Sequence, residues 1–318
     1  MLPRNLRLSL GLRYARPVSL VGVLLSILLF GSDTHAVHTV PPGSGQMSAK
    51  GHFYYYDSSR SLHPLGNSLV QLYDSNLSGD QFLGADFARG DGYWEIGPFS
   101  SAGADGGRHL YVRVRTENAN RGIRVENTSG ETYSWRSEGT VDVQLDGWVD
   151  FGQKSVPDTS PNKPAVWIFM TLNRGWEYLP SSPGSTSARW ATNYDPSCGM
   201  CFDPSGGIVL LARDAPESPD VVLHEFAHNA MFNVYGSWLP KPEYSSSGHW
   251  ISLASGPNAA WMEGWAEFLP LAVFSDSVFS YYGHYEVDLE APTWGTLDAQ
   301  HDNSFIPLGC NSFTPPRD

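Results

Sequence analysis

Residues 220–236 read DVVLHEFAHNAMFNVYG, and the fold of the second half of the chain turns on how they are understood. The run His224-Glu225-Phe226-Ala227-His228 has the H-E-x-x-H pattern, which chance alone places in roughly one per cent of chains of this length. Leu223, Phe226, Ala227, Ala230 and Val234 recur at helical spacing, which predicts a helix with a buried side. Ser218 as N-cap, Pro219 in the first turn and Asp220 against the dipole predict its start, and Gly236 its end. Residues four apart project from one helix face with Cβ atoms about 5–6 Å apart. Two imidazoles there can converge on a zinc ion at about 2.0–2.1 Å. Glu225 lies one step round, placed to take a proton from a water at such a site without being a ligand. A core helix whose histidines merely hydrogen-bond is the competing reading, and residues elsewhere must separate the two.

A catalytic zinc site ordinarily has three protein ligands and one open position. AWMEGWAEF, Ala260 to Phe268, supplies a third candidate. Glu263 sits in an apolar helical run, where a carboxylate is costly unless it is paired or binds a metal. Gly264 beside it leaves room for another backbone to approach. Glu267, four residues on, shares the helix face and could accept a hydrogen bond from a ligand histidine, fixing its tautomer.

HEFAH followed by EGWAE resembles the gluzincins, zinc metallopeptidases whose third ligand is a glutamate on the next active-site helix. WMEGWAEF is similar to the NEG-A-E helix of the aminopeptidase branch, with Met262 where that branch has Asn. The thermolysin branch carries Asp four residues after its ligand glutamate, and this chain has Glu267. The resemblance implies His224, His228 and Glu263 as zinc ligands, Glu225 as catalytic base and Glu267 as partner to a ligand histidine. It also implies peptide or protein as substrate. IVLLA, Ile208 to Ala212, resembles the edge strand on which zincins lay an extended substrate. Two features depart from the family. The interval from His228 to Glu263 is long, and the insertion SWLPKPEYSSSGHWISLASGP fills it. The family's transition-state His or Tyr has no aligned counterpart: Tyr281, Tyr282, His284 and His301 are candidates, with Tyr282 and His284 foremost. The tail IPLGCNSFTPPRD is Pro-rich and reads as unstructured, so the expectation is a zincin-like domain that is C-terminally truncated or completed differently.

Residues 37–154 have another character. GHFYYYD, SLVQLYD, GYWEIGPF, HLYVRVRTE and TVDVQLDGWVDFG are short alternating or aromatic runs separated by turn residues, which predicts an antiparallel β-sandwich. Tyr56-Asp57, the stretch Pro64 to Leu72 and GDGYWEIGPF resemble the transthyretin-like or carboxypeptidase-regulatory modules that accompany secreted enzymes. Phe53 to Tyr56 could stack on carbohydrate, but alternation favours one face in the core. SVPDTSPNKP, 155–164, reads as a linker. AVWIFMTLNRGWEYL reads as a helix and GPNAAWMEGWAEFLPLAVF as another, within a zincin-like domain of residues 165–318. The expected class is α+β.

Arg4, Arg7, Arg13 and Arg16 precede the apolar run Val18 to Phe30, and THA follows, which predicts a secretory signal peptide over 1–36 cleaved after Ala36. Its apolar centre is short for a bilayer span of about 20 residues, so no stable membrane span is expected after cleavage. Asn76-Leu77-Ser78 and Asn127-Thr128-Ser129 are glycosylation sequons. Cys198, Cys201 and Cys310 are disulfide candidates, one pair bridging in an oxidising compartment and one left over. Lys+Arg 20 against Asp+Glu 33, a formal charge of −13, argues against nucleic acid as a partner. The function expected is a secreted zinc peptidase. The alternative is a non-catalytic secreted binding protein in which a β-sandwich accompanies a degenerate zincin scaffold.

Overall fold

The computed structural model describes residues 43–103, 107–137, 141–143, 146–236, 256–275, 278–281 and 285–288. The proposed leader, its cleavage site and Cys310 lie outside them.

The first described element is β1 (Gln46–Tyr56), in which Met47, Ala49 and Phe53 point inward on alternate residues. β1 is the centre of a sheet with β2 (Leu62–Pro64), β5 (Tyr93–Ser100) and β11 (Gly147–Ser155). A second sheet has the order β10 (Val141–Val143), β6 (Arg108–Arg115), β3 (Leu69–Asn76), β4 (Gly79–Phe87), with β9 (Ser134–Arg136) also on β6. Val70, Leu72, Val112 and Val114 of this sheet share one apolar core with Phe53, Trp94, Ile96 and Phe151 of the first. The expectation of a purely antiparallel sandwich needs correction. The second sheet is antiparallel throughout, but β1 pairs with β11 in parallel, Met47 opposite Gly147. Alternation specifies which face of a strand is buried, and it carries no information about which neighbour a strand takes or in which direction.

A third sheet crosses the sequence boundary expected at 155–164. Its order is β13 (Cys201–Asp203), β14 (Ile208–Leu210), β12 (Thr186–Arg189), β8 (Ile123–Glu126), β7 (Glu117–Asn118). β8, β12 and β14 run parallel, with β13 and β7 antiparallel at the two ends. A charge cluster fastens the junction of β8 and β12. The buried Glu126 carboxylate accepts hydrogen bonds from Arg124 and, at 2.8 Å, from Arg189. Tyr133 Oη also donates to the Trp190 carbonyl at 2.6 Å.

Helix α1 (Pro164–Tyr178) begins at a proline that needs no intrahelical N–H partner. It packs on α2 (Pro219–Val234) at Gly175. A Cβ on Gly175 would lie 2.6 Å from Leu223 Cδ2 and 3.0 Å from Phe226 Cε1, so any side chain there would force these buried groups to shift. Arg121, in the turn after β7, donates to Glu177 at 2.8 Å and lies 4.8 Å from the Trp176 ring, tying that turn to α1. Helix α3 (Pro257–Phe274) covers α2. The hairpin β15 (Val278–Tyr281) and β16 (Tyr285–Asp288) places β15 against α2 and α3.

Both sequons sit in turns closed by their own asparagine. Asn76 Oδ1 accepts from Ser78 N at 3.0 Å, and Asn127 Oδ1 accepts from Ser129 N at 2.8 Å. Cys198 and Cys201 form a disulfide at the entry to β13.

Candidate metal centre

Helix α2 starts at Pro219 with Asp220 in its first turn and stops before Gly236, whose φ of 66° is left-handed. Ser218 stands at the N-cap position, but its side chain makes no capping bond. Its hydroxyl is buried and finds no hydrogen-bond partner among the described residues. Every residue from Asp220 to Met231 is buried, so the polar side of α2 is covered as fully as the apolar side. The cover is α3, and it brings Glu263 and Glu267 over the two histidines.

His224 Nε2 and His228 Nε2 are 3.2 Å apart. Glu263 Oε2 is 3.4 Å from each of them. The three atoms form a nearly equilateral triangle, the one group of His, Cys, Asp or Glu side chains among the described residues with metal-holding geometry. A zinc ion about 2.0–2.1 Å from three tetrahedral ligands sets those ligands roughly 3.3 Å apart. The donor set therefore fits zinc in both chemistry and spacing. Glu267 Oε1 lies 3.6 Å from His224 Nδ1, an ion-pair distance longer than a direct hydrogen bond. His228 Nδ1 is buried and makes no hydrogen bond among the described residues. Glu225 is only 6% exposed, and its charge acts to raise both His224 and Glu267.

The electrostatics follow from three carboxylates facing two imidazoles. Burial disfavours a charged imidazole, but the hydrogen bond to Glu263 and the charges of Glu225 and Glu267 outweigh it and raise His224 to about 9. Burial pushes the Glu263 carboxyl up, yet bonds from His224 and His228 carry it well below the usual carboxylate range. Glu267 is held above its ordinary value, chiefly by burial and also by the charges of Glu263 and Glu225. A cluster with this excess of negative charge favours a cation at its centre.

Other expectations fare differently. Among the described residues, a Cβ on Gly264 would meet nothing within 4 Å, so they show no close backbone approach there. The edge strand is β13, not the stretch 208–212: β13 pairs Cys201 to Asp203 with Leu210 to Ile208, and its other side is unpaired among the described residues. Sequence reasoning missed β13 because a three-residue strand has no periodicity to read. Phe202 of β13 meets Phe232 of α2 edge-on at 5.2 Å, so the strand lies against the helix that bears the histidines. Tyr281 falls in β15, while Tyr282, His284 and His301 lie outside the described residues.

The profile of one protein family, the mycolysin C-terminal domain, matches residues 174–305. That span contains His224, Glu225, His228, Glu263 and Glu267. The match supports a metallopeptidase-related family. No curated protein matches the chain. Two of the most similar solved structures are a 9R-lipoxygenase from Cyanothece PCC8801 and an (S)-allantoin synthase. The first is 17% identical with a TM-score of 0.27, over 60% of this chain and 22% of that one. The second is 14% identical with a TM-score of 0.22, over 35% of this chain and 42% of that one. No helix among the described residues is long and apolar enough to cross a membrane.

Proposed function

We propose that this chain is a secreted zinc-dependent peptidase that hydrolyses peptide bonds with a glutamate as general base. The observation that carries the reading is the triangle of His224 Nε2, His228 Nε2 and Glu263 Oε2, with sides of 3.2, 3.4 and 3.4 Å. These three residues would hold the ion. When bound, zinc supplies Lewis acidity toward a carbonyl oxygen and makes a neighbouring water easier to deprotonate. Glu225 takes the proton of the attacking water as its oxygen joins the scissile carbonyl carbon, and gives it to the leaving amine as the C–N bond breaks. Glu267, 3.6 Å from His224 Nδ1, acts on that ring through its charge. The side of β13 that is unpaired among the described residues offers backbone groups to an extended peptide, a mode that binds with little side-chain preference. Secretion rests on the tripartite leader, and a transthyretin-like identity for the β-rich half rests on its sequence likeness.

The test combines metal content and turnover. Purified protein is expected to carry about one zinc per chain by mass spectrometry and to cleave a peptide library. Glu225→Gln should keep the zinc and lose cleavage by at least about a hundredfold. His224→Ala should lose both. Zinc retained without hydrolysis of any peptide would overturn the reading in favour of a non-catalytic scaffold.

A further inference from the structure

The outward face of the sheet formed by β5, β1 and β11 carries rings that the core does not use. Ala49, Phe53, Trp94, Ile96, Val149 and Phe151 fill its inward side. Alternation turns His52 and Tyr54 of β1 outward, with Tyr93 of β5 and Trp148 of β11. The solvated face of such a sheet ordinarily carries polar side chains. Here His52 lies 5.3 Å from Tyr93 and 6.2 Å from Tyr54, ring to ring, and Trp148 is 37% exposed. Cross-strand pairing sets Tyr93 opposite His52 and Trp148 opposite Ser48, so the rings run along β1 for roughly 20 Å at about 3.3 Å per residue.

The polar groups between the rings are balanced in charge. Register places Glu95, Lys50 and Asp150 in one cross-strand row. Lys50 Nζ lies 5.5 Å from the Trp148 ring, and Arg89 lies 4.6 Å over Tyr93. Tyr93 Oη donates to Glu95 at 2.9 Å. Two bases meet two acids on this patch, in a chain whose formal charge is −13. A strongly charged partner gains nothing from a balanced patch. A neutral polymer with apolar C–H faces and hydroxyl rims matches both features: the faces stack on rings, and the hydroxyls bond to carboxylates, amines and phenol.

We propose that this face binds a neutral polysaccharide, which would hold the half of the chain with the His224–His228–Glu263 cluster on an insoluble glycan matrix. The inference is independent of catalysis. The test uses the full chain, microcrystalline cellulose and chitin as probes, and low- and high-salt buffers. Co-sedimentation with at least one polysaccharide is expected, persisting at high salt because stacking is not screened. Trp148→Ala and Tyr54→Ala should each weaken retention about tenfold with unchanged melting temperature. Phe82→Ala, on the outward face of the other sheet, should not. Four outcomes would overturn the proposal: retention by neither probe, retention abolished by salt, an equal loss with Phe82→Ala, or self-association through Trp148 seen by light scattering in place of glycan binding.

Discussion

A carboxylate in the apolar run AAWMEGWAEFLPLAVF is costly unless something takes up its charge, and Glu263 answers that cost with two imidazoles at 3.4 Å. The grouping of these three side chains was therefore legible residue by residue. The i, i+4 histidines fix a helix face, and the misplaced acid names its partner helix. Other residues carried weaker signals. Ser218 has the composition of a cap without the bond. Gly264 reads as a contact point, yet among the described residues the close approach between helices is at Gly175. Asp57 is a residue whose role only three dimensions reveal. The Ser59 hydroxyl, the Ser61 N–H and the His63 ring hold its carboxyl down to about 2. A carboxyl depressed on folding stabilises the fold above its unfolded value near 3.9, and that contribution is lost as pH falls toward about 2. A carbon-detected titration of Asp57 should therefore have its midpoint near 2. A midpoint at the ordinary aspartate value would show that the turn bonds do not persist in solution.

Among elements, helices were easier to read than strand pairings. The helix expected over 165–179 spans Pro164–Tyr178, and α2 and α3 begin at prolines that the sequence displays openly. Apolar periodicity with Pro and Gly punctuation is local information. Pairing is not: nothing in VQLYDSN or RHLYVRVR says that β3 and β6 are neighbours. The parallel partners β1 with β11, and β8 with β12, lie far apart in sequence. The contact of α1 with α2 gives the sharpest test at this scale. Gly175→Val would drive a branched side chain into Leu223 and Phe226. It is expected to cost about 1–3 kcal/mol in urea unfolding, with lower zinc occupancy because the same helix carries His224 and His228. A neutral result would mean that the two helices separate readily.

For the whole molecule, the decisive feature is that the third sheet takes strands from both sides of residues 155–164. The described residues all fall in one compact unit, and Glu126 is bonded by Arg189 across the expected boundary. Cutting the chain at 164 would remove β7 and β8, leaving one side of β12 without hydrogen-bond partners and Arg189 without its buried partner. The segment 165–318 expressed alone is expected to be insoluble or largely unfolded, whereas 37–318 should unfold in a single calorimetric transition. Two separate transitions, or a folded zinc-binding 165–318 fragment, would contradict this.

The parallel pairing of β1 with β11 also governs the order in which the chain is built. Met47 leaves the ribosome one hundred residues before Gly147, its partner across the strand pair. Until then the first strand has one side unmatched, and its rings at Phe53 to Tyr56 remain open to wrong partners. The third sheet waits longer still, for Ile208 to Leu210. Non-local pairing of this kind is slow, so synthesis rate and protection of the nascent chain become determinants of yield. By this order the two histidines and Glu263 are made after every strand of the three sheets, and they meet on a framework whose parts are already present.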